Sequence, residues 1–126
     1  MTAVTADEVR AIGAGYDPDP SRSLSLRAPA YTEVRWAEAD RAAIFARTWQ
    51  WVCHVEKLTA PGAYVATTVA ELPIAVVRDR RGGLRAFYNV CKHRAHELLS
   101  GSGTARAITC PYHAWTYGLD LSLIHI

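Results

Sequence analysis

The sequence predicts a mainly β fold, a small antiparallel β-domain preceded by a short α-helix. Three observations predict it. From Trp49 onward the chain breaks into short runs rich in apolar, β-branched and aromatic residues. Those runs are separated by Gly-, Pro- and Ser-bearing turn signals. Ahead of them stands one stretch of strong helix formers.

Taken in order, residues 1–30 read as a flexible leader. "AGYDPDPSRSLSLRAPA" mixes Gly, Pro, Ser and Asp with few large apolar groups, so it has little surface to bury and is expected to be extended or mobile. Residues 33–47, "EVRWAEADRAAIFAR", read as the helix, with Thr32 as its N-cap. Trp36, Ala39, Ala43 and Ala46 share one face, and Phe45 points the other way, toward some other packing partner. The strands expected next are "WQWVCHV", "AYVATTV", "PIAVVRD", "LRAFYNV", "ARAITC" and "AWTYGL". Gly82-Gly83 marks a tight hairpin, and Gly101 and Gly103 in "SGSGT" mark a sharp return.

A chain of 126 residues fits one small domain or part of a larger one. Its net charge of +2 is too small to argue for nucleic acid or a membrane surface. The run "RDRR" at Arg78 to Arg81 adjoins Gly82-Gly83 and reads as a solvated turn. No apolar run is long enough for a membrane span, and the N-terminus lacks the pattern of a secretory signal. Three cysteines, an odd number, two of them with nearby histidines, point to metal chemistry in a reducing, cytoplasmic setting and not to a disulfide framework. Cys53 and His54 lie far from these in sequence and read as a half-buried strand pair.

The metal signal is Cys91-Lys92-His93 followed, sixteen residues on, by Cys110-Pro111-Tyr112-His113. Each group follows an expected strand, and each offers one thiolate and one imidazole. Finger-type zinc sites commonly pair like with like within an arm. Mixed arms laid side by side can instead give both cysteines to one iron and both histidines to another, the ligand set of a Rieske 2Fe–2S centre. Neutral imidazoles in place of two thiolates make the cluster less negative and raise its potential. Tyr112, Trp115 and Tyr117 can shield such a cluster, or can simply be core. A structural zinc site is the other reading of the four side chains.

"NVCKHRAHELLSGSG" and "CPYHAWTYGLD" resemble the Rieske domain of the α subunits of Rieske non-haem iron oxygenases, the ring-hydroxylating family. "IFARTWQWVCHVEKL", "PGAYVATTVAELPIAVVRD" and "GGLRAFYNV" resemble the segments before the cluster, so the likeness covers about residues 31–120. The resemblance implies a Rieske-type (ISP-like) β-domain, partial over 31–120 and incomplete at its C-terminal side. It implies Cys91 and Cys110 on the buried iron and His93 and His113 on the outer one. Rieske proteins of respiratory complexes carry an extra cysteine pair where this chain has His96 and Tyr112, so the likeness is to the oxygenase and ferredoxin branch. His96 reads as a loop histidine.

The family pattern further implies electrons from a reductase, directly or through a ferredoxin. It implies a mononuclear non-haem Fe(II) in a C-terminal catalytic domain absent from this sequence, and a trimer-type homo-oligomer. Aromatic rings are the default substrates of the family. The pre-cluster segments also resemble relatives that oxidise choline, carnitine or betaine-type amines. The alternatives are a stand-alone Rieske ferredoxin and a zinc-binding interaction module. "LSLIHI", residues 121–126, departs from the family pattern and matches the translation of a transposon end used in DNA-library preparation. It is expected to be a non-native tail, with no function for His125.

Overall fold

Thr5 opens the regular structure. Its hydroxyl accepts from the Glu8 N–H while the Glu8 carboxylate accepts from the Thr5 N–H, a reciprocal cap on helix α1 (Ala6–Ile12). Arg35 donates to the same carboxylate at 2.6 Å. The Thr5 backbone first, and Arg35 next, hold Glu8 at a pKa of about 2. This is a computed structural model, and it describes residues 3–126. The expectation of an extended leader is corrected at α1, where capping and ion pairing act locally without any buried side chain. Residues 1 and 2 of that leader lie outside the described residues.

The helix expected over 33–47 is one short helix and a π turn, with a separate helical turn ahead of it. Helix α2 (Pro29–Thr32) starts at Pro29, where a missing N–H costs nothing. Thr32 is not an N-cap: it ends α2, and its hydroxyl donates to the Ala28 carbonyl at 3.2 Å. Glu33 is extended, and α3 (Val34–Asp40) follows, running into a π turn at Arg41–Phe45. Trp36 is buried, but Ala43 and Ala46 are exposed and Phe45 is 44% exposed, so the weak apolar stripe finds little to cover it. These elements belong to one compact unit, Met1–Trp49; the second is Gln50–Ile126.

The second unit begins with a correction. "WQWVCHV" forms no strand, since among the described residues no strand pairs with it. Cys53 is half-buried, and His54 is exposed and precedes a 3-10 turn, Val55–Leu58. Strands β1 (Ala63–Val69), β2 (Leu72–Arg78) and β3 (Leu84–Tyr88) then form an antiparallel meander. The β2–β3 loop spans residues 79–83, wider than the tight turn expected at Gly82-Gly83. Asp79 organises it: its carboxylate accepts from the N–H groups of Arg81 at 2.9 Å and Gly83 at 2.8 Å, and from Arg85 Nε at 2.9 Å.

"SGSGT" is more than a return. Its last three residues, Ser102–Thr104, are strand β4, paired with β1 so that the sheet order is β3-β2-β1-β4. Gly101 makes the turn with φ +61°, and Gly103 leaves room for Tyr64, whose hydroxyl oxygen would lie 3.0 Å from any added Cβ. A second sheet joins β5 (Ile108–Thr109), β6 (Thr116–Tyr117) and β7 (Leu123–His125). The three residues of β7, within the tail expected to be non-native, are exposed. Val77, Leu98, Ile108, Tyr117 and Leu119 form the core together with Cys91 and Cys110. The two motif cysteines are thus core residues, and the loops they begin emerge from the core.

Candidate metal centre

The first loop leaves β3 and the second leaves β5. Both close in the same way. In the first, the Ala95 N–H donates to the Cys91 carbonyl at 2.8 Å, and the Cys91 N–H donates to the His96 carbonyl at 2.8 Å. In the second, the Ala114 N–H donates to the Cys110 carbonyl at 3.0 Å, and the Cys110 N–H donates to the Trp115 carbonyl at 2.8 Å. Ala95 and Ala114 occupy the left-handed region at φ 53° and 60°, which turns each chain back toward its own start.

This closure sorts the donors by depth. Cys91 and Cys110 are 3% and 2% exposed, and both thiols are free. His93 and His113 sit at the exposed tips with ring centroids 4.8 Å apart, edge to face. The two cysteines therefore share the core, and the two imidazoles meet at the exposed tips of the same two loops. No group of three or more His, Cys, Asp or Glu side chains surrounds a single point among the described residues.

Aromatic groups frame the imidazoles. Trp115 stacks on His93 at 4.9 Å with 6° between the planes. Tyr112 lies 3.8 Å from the His113 ring. His96 and Tyr112, the two positions singled out for lacking cysteine, face each other across the loops at 5.8 Å. His96 is exposed, and its Nδ1 bonds the Glu97 carbonyl at 2.7 Å.

Tyr117 is the residue whose role the sequence left undecided between shield and core. It is fully buried, and its hydroxyl lies 3.2 Å from Cys91 Sγ while accepting the Lys92 N–H at 3.0 Å. Burial pushes the Cys91 thiol up. Tyr117, the His93 N–H, the Cys110 thiol and the Arg94 N–H oppose this and leave it below the ordinary thiol range. Burial, and then Cys91, push the Tyr117 hydroxyl up, so it stays a phenol that can donate to a thiolate. Partial desolvation first, then the charges of His93 and Arg94, lower the exposed His113 and favour the neutral, ligand-competent imidazole. Sequence reasoning also missed Asn89, a buried polar side chain two residues before Cys91.

Comparison with known proteins follows the same residues. The Rieske [2Fe-2S] domain family matches residues 48–126. The oxygenase subunit of carnitine monooxygenase from Acinetobacter baumannii is 51% identical over 94 residues, 74% of this chain and 25% of the relative. Chloroplastic choline monooxygenase from Beta vulgaris is 36% identical over 124 residues, 97% of this chain and 28% of the relative. The crystal structure of the quaternary ammonium Rieske monooxygenase CntA with γ-butyrobetaine superposes with a TM-score of 0.82 at 40% identity, covering all of this chain and 34% of that one. Naphthalene 1,2-dioxygenase with indole bound superposes at 0.68 with 34% identity, covering 71% of this chain and 20% of that one. The chain thus spans about a quarter of the length of the curated relatives it matches. The two-loop motif, its β framework and these matches together make the chain a member of the Rieske [2Fe-2S] domain family.

Proposed function

We propose that this chain is the electron-transfer part of a Rieske-type oxygenase subunit, with Cys91 and Cys110 as ligands to one iron and His93 and His113 as ligands to the other. One observation carries the reading: the donors are divided by depth, buried thiols below and exposed imidazoles above, on two loops of matching closure. That donor set suits a cluster whose two irons take different ligands. When bound, such a cluster accepts and releases single electrons.

The chain's own residues supply its setting. With Cys91 a thiolate, Tyr117 is the donor to its sulfur and stabilises negative charge there. Trp115 and Tyr112 each lie against one of the imidazole rings. The outer imidazole edges stay exposed, which leaves a hydrogen-bonding route to an acceptor.

For the full-length protein we infer a quaternary amine as substrate. Relatives named as carnitine, choline and glycine betaine monooxygenases support this over the aromatic default. The same reading takes electrons from a reductase, directly or through a ferredoxin. It places a mononuclear non-haem Fe(II) in a further domain of the full-length protein, and the subunits in a trimer-type homo-oligomer. Free thiols at the site suit a reducing, cytoplasmic compartment. No helix among the described residues is long and apolar enough to cross a membrane.

The test is anaerobic reconstitution of the chain with iron and sulfide. The expected product is red-brown, carries iron and acid-labile sulfide in equal amounts, and gains an electron paramagnetic resonance signal on one-electron reduction. A colourless product that retains zinc in preference and gives no signal would sink the reading.

A further inference from the structure

We infer that Asn89 is a positioning residue for the first loop: its carboxamide stands in for the strand ladder that the second loop has and the first lacks. This rests on the ligand assignment above only in calling the loop a cluster loop. The second loop is closed by a ladder just outside Cys110 and Trp115, with Thr109 paired to Thr116 and Ile108 to Tyr117. The Thr109 and Thr116 hydroxyls add a bond of 3.1 Å across it.

The first loop has no such ladder. Strand β3 ends at Tyr88, and the return arm holds no strand until Ser102. Between them stands one isolated bridge, Val90 to Glu97. Asn89 fills this gap. Its Nδ2 donates to the Leu99 carbonyl at 2.7 Å, and its Oδ1 accepts the Leu99 N–H at 2.9 Å. It therefore meets both polar groups of Leu99, as a facing peptide in a ladder would. Its own N–H donates to the Pro73 carbonyl of β2 at 2.8 Å. The return arm is thus tied through one side chain to the four-stranded sheet.

The tie reaches the sulfurs. Leu98, beside the clamped residue, packs in the core with Cys91 and Cys110. Asn89 is only 2% exposed, so water competes little for its two bonds. Ala at this position removes both bonds. Asp keeps the acceptor and loses the donor at neutral pH. Only the amide does both at this length.

Amide hydrogen exchange on the full chain tests this. In the wild type, the Leu99 amide should exchange as slowly as amides inside β1 and β2, although it belongs to no strand. In Asn89→Ala, the Cys91 and Leu99 amides should exchange at least about tenfold faster, while Cys110 stays within about twofold, and Asn89→Asp should fall between. On chains reconstituted with iron and sulfide, a chelator should bleach Asn89→Ala about tenfold faster than wild type. Equal acceleration at Cys91 and Cys110 would mean lost global stability and overturn the proposal. So would free exchange of Leu99 in the wild type, which decides the matter alone where Asn89→Ala does not fold. A wild type that takes up no cluster defeats the ligand assignment instead, and leaves the exchange result to judge the clamp.

Discussion

The two loops solve one backbone problem with different side chains. Each begins at a buried cysteine, turns at a left-handed alanine four residues on, and closes with the same pair of hydrogen bonds. Yet the first loop carries its histidine two residues after the cysteine, and the second three residues after. The first is flanked by Lys92 and Arg94, the second by Pro111 and Tyr112. The first is stapled by a side chain, the second by a ladder. The backbone closure sets where the sulfur lies. The offset of the histidine is free to differ, because both imidazoles need only reach a common exposed tip. Proline and a ladder make the second loop rigid by itself, whereas the first depends on neighbours.

The largest break in this comparison is at the sulfurs. Cys91→Ser and Cys110→Ser should each abolish cluster assembly, since either removes half of the thiolate set for one iron. Iron content and visible absorbance after reconstitution check this. Retention of a full cluster in either variant would show that the two loops do not contribute equivalent ligands.

Tyr117 breaks the symmetry more gently, because its hydroxyl serves only the first loop. Tyr117→Phe removes a donor to Cys91 Sγ and leaves the Lys92 N–H without its acceptor. Reduction adds negative charge to the cluster, so losing the donor disfavours the reduced state and the potential falls. A differential of about 1 kcal/mol corresponds to a fall of about 40 mV for one electron. Losing this part-buried bond costs about 0.5–1.5 kcal/mol of stability. Redox titration and thermal melting separate the two effects. An unchanged potential would mean that the bond does not survive in the loaded protein.

How much of this was readable beforehand depends on the range of each interaction. The four candidate ligands were legible because their types and spacing lie within two short segments, Cys91–His93 and Cys110–His113. Strands β1, β2 and β3 were legible from alternation and turn signals. The strand expected over 49–55 was not there, because alternation gives a strand only where a partner offers a ladder, and none pairs with it among the described residues. Strand β4 was hidden in a run of Gly and Ser, since it exists for its pairing with β1 and for the room it leaves Tyr64. Tyr117 and Asn89 act on atoms 26 and 10 residues away, and no local pattern encodes that. The capping box at Thr5 and Glu8 was the opposite case, a local signal outweighed by the polar composition around it.

A control for the loops lies at the other end of β3. The Asp79 carboxylate is held below the usual carboxylate range by the Gly83 N–H, then by Arg85 and the Arg81 N–H. A folded-state pKa lowered in this way gives stability that is present above the unfolded value of about 3.9 and lost as pH falls through the folded value. Wild type should therefore lose stability in acid, and Asp79→Asn should be less stable at neutral pH but flatter below about pH 4. Melting curves across that window check the sign. The effect should fall on the β2–β3 turn and leave the exchange difference between the two loops unchanged.

The finest test asks whether the two loops share a backbone rule at all. Ala95 and Ala114 pay for a left-handed conformation that an L-residue enters at a cost of about 1–2 kcal/mol. Glycine removes that strain but adds freedom to the unfolded chain, which returns about 0.4–1 kcal/mol of the gain. Ala95→Gly and Ala114→Gly should therefore each stabilise the domain by about 0.5–1 kcal/mol, read as a rise in Tm of a few degrees. If closure geometry is the common element, the two gains match and add, because the strain at each site is relieved within its own loop. If only Ala114→Gly stabilises the domain, the first loop owes its shape to Asn89 and Tyr117, and its left-handed turn follows from the clamp and not from the closure.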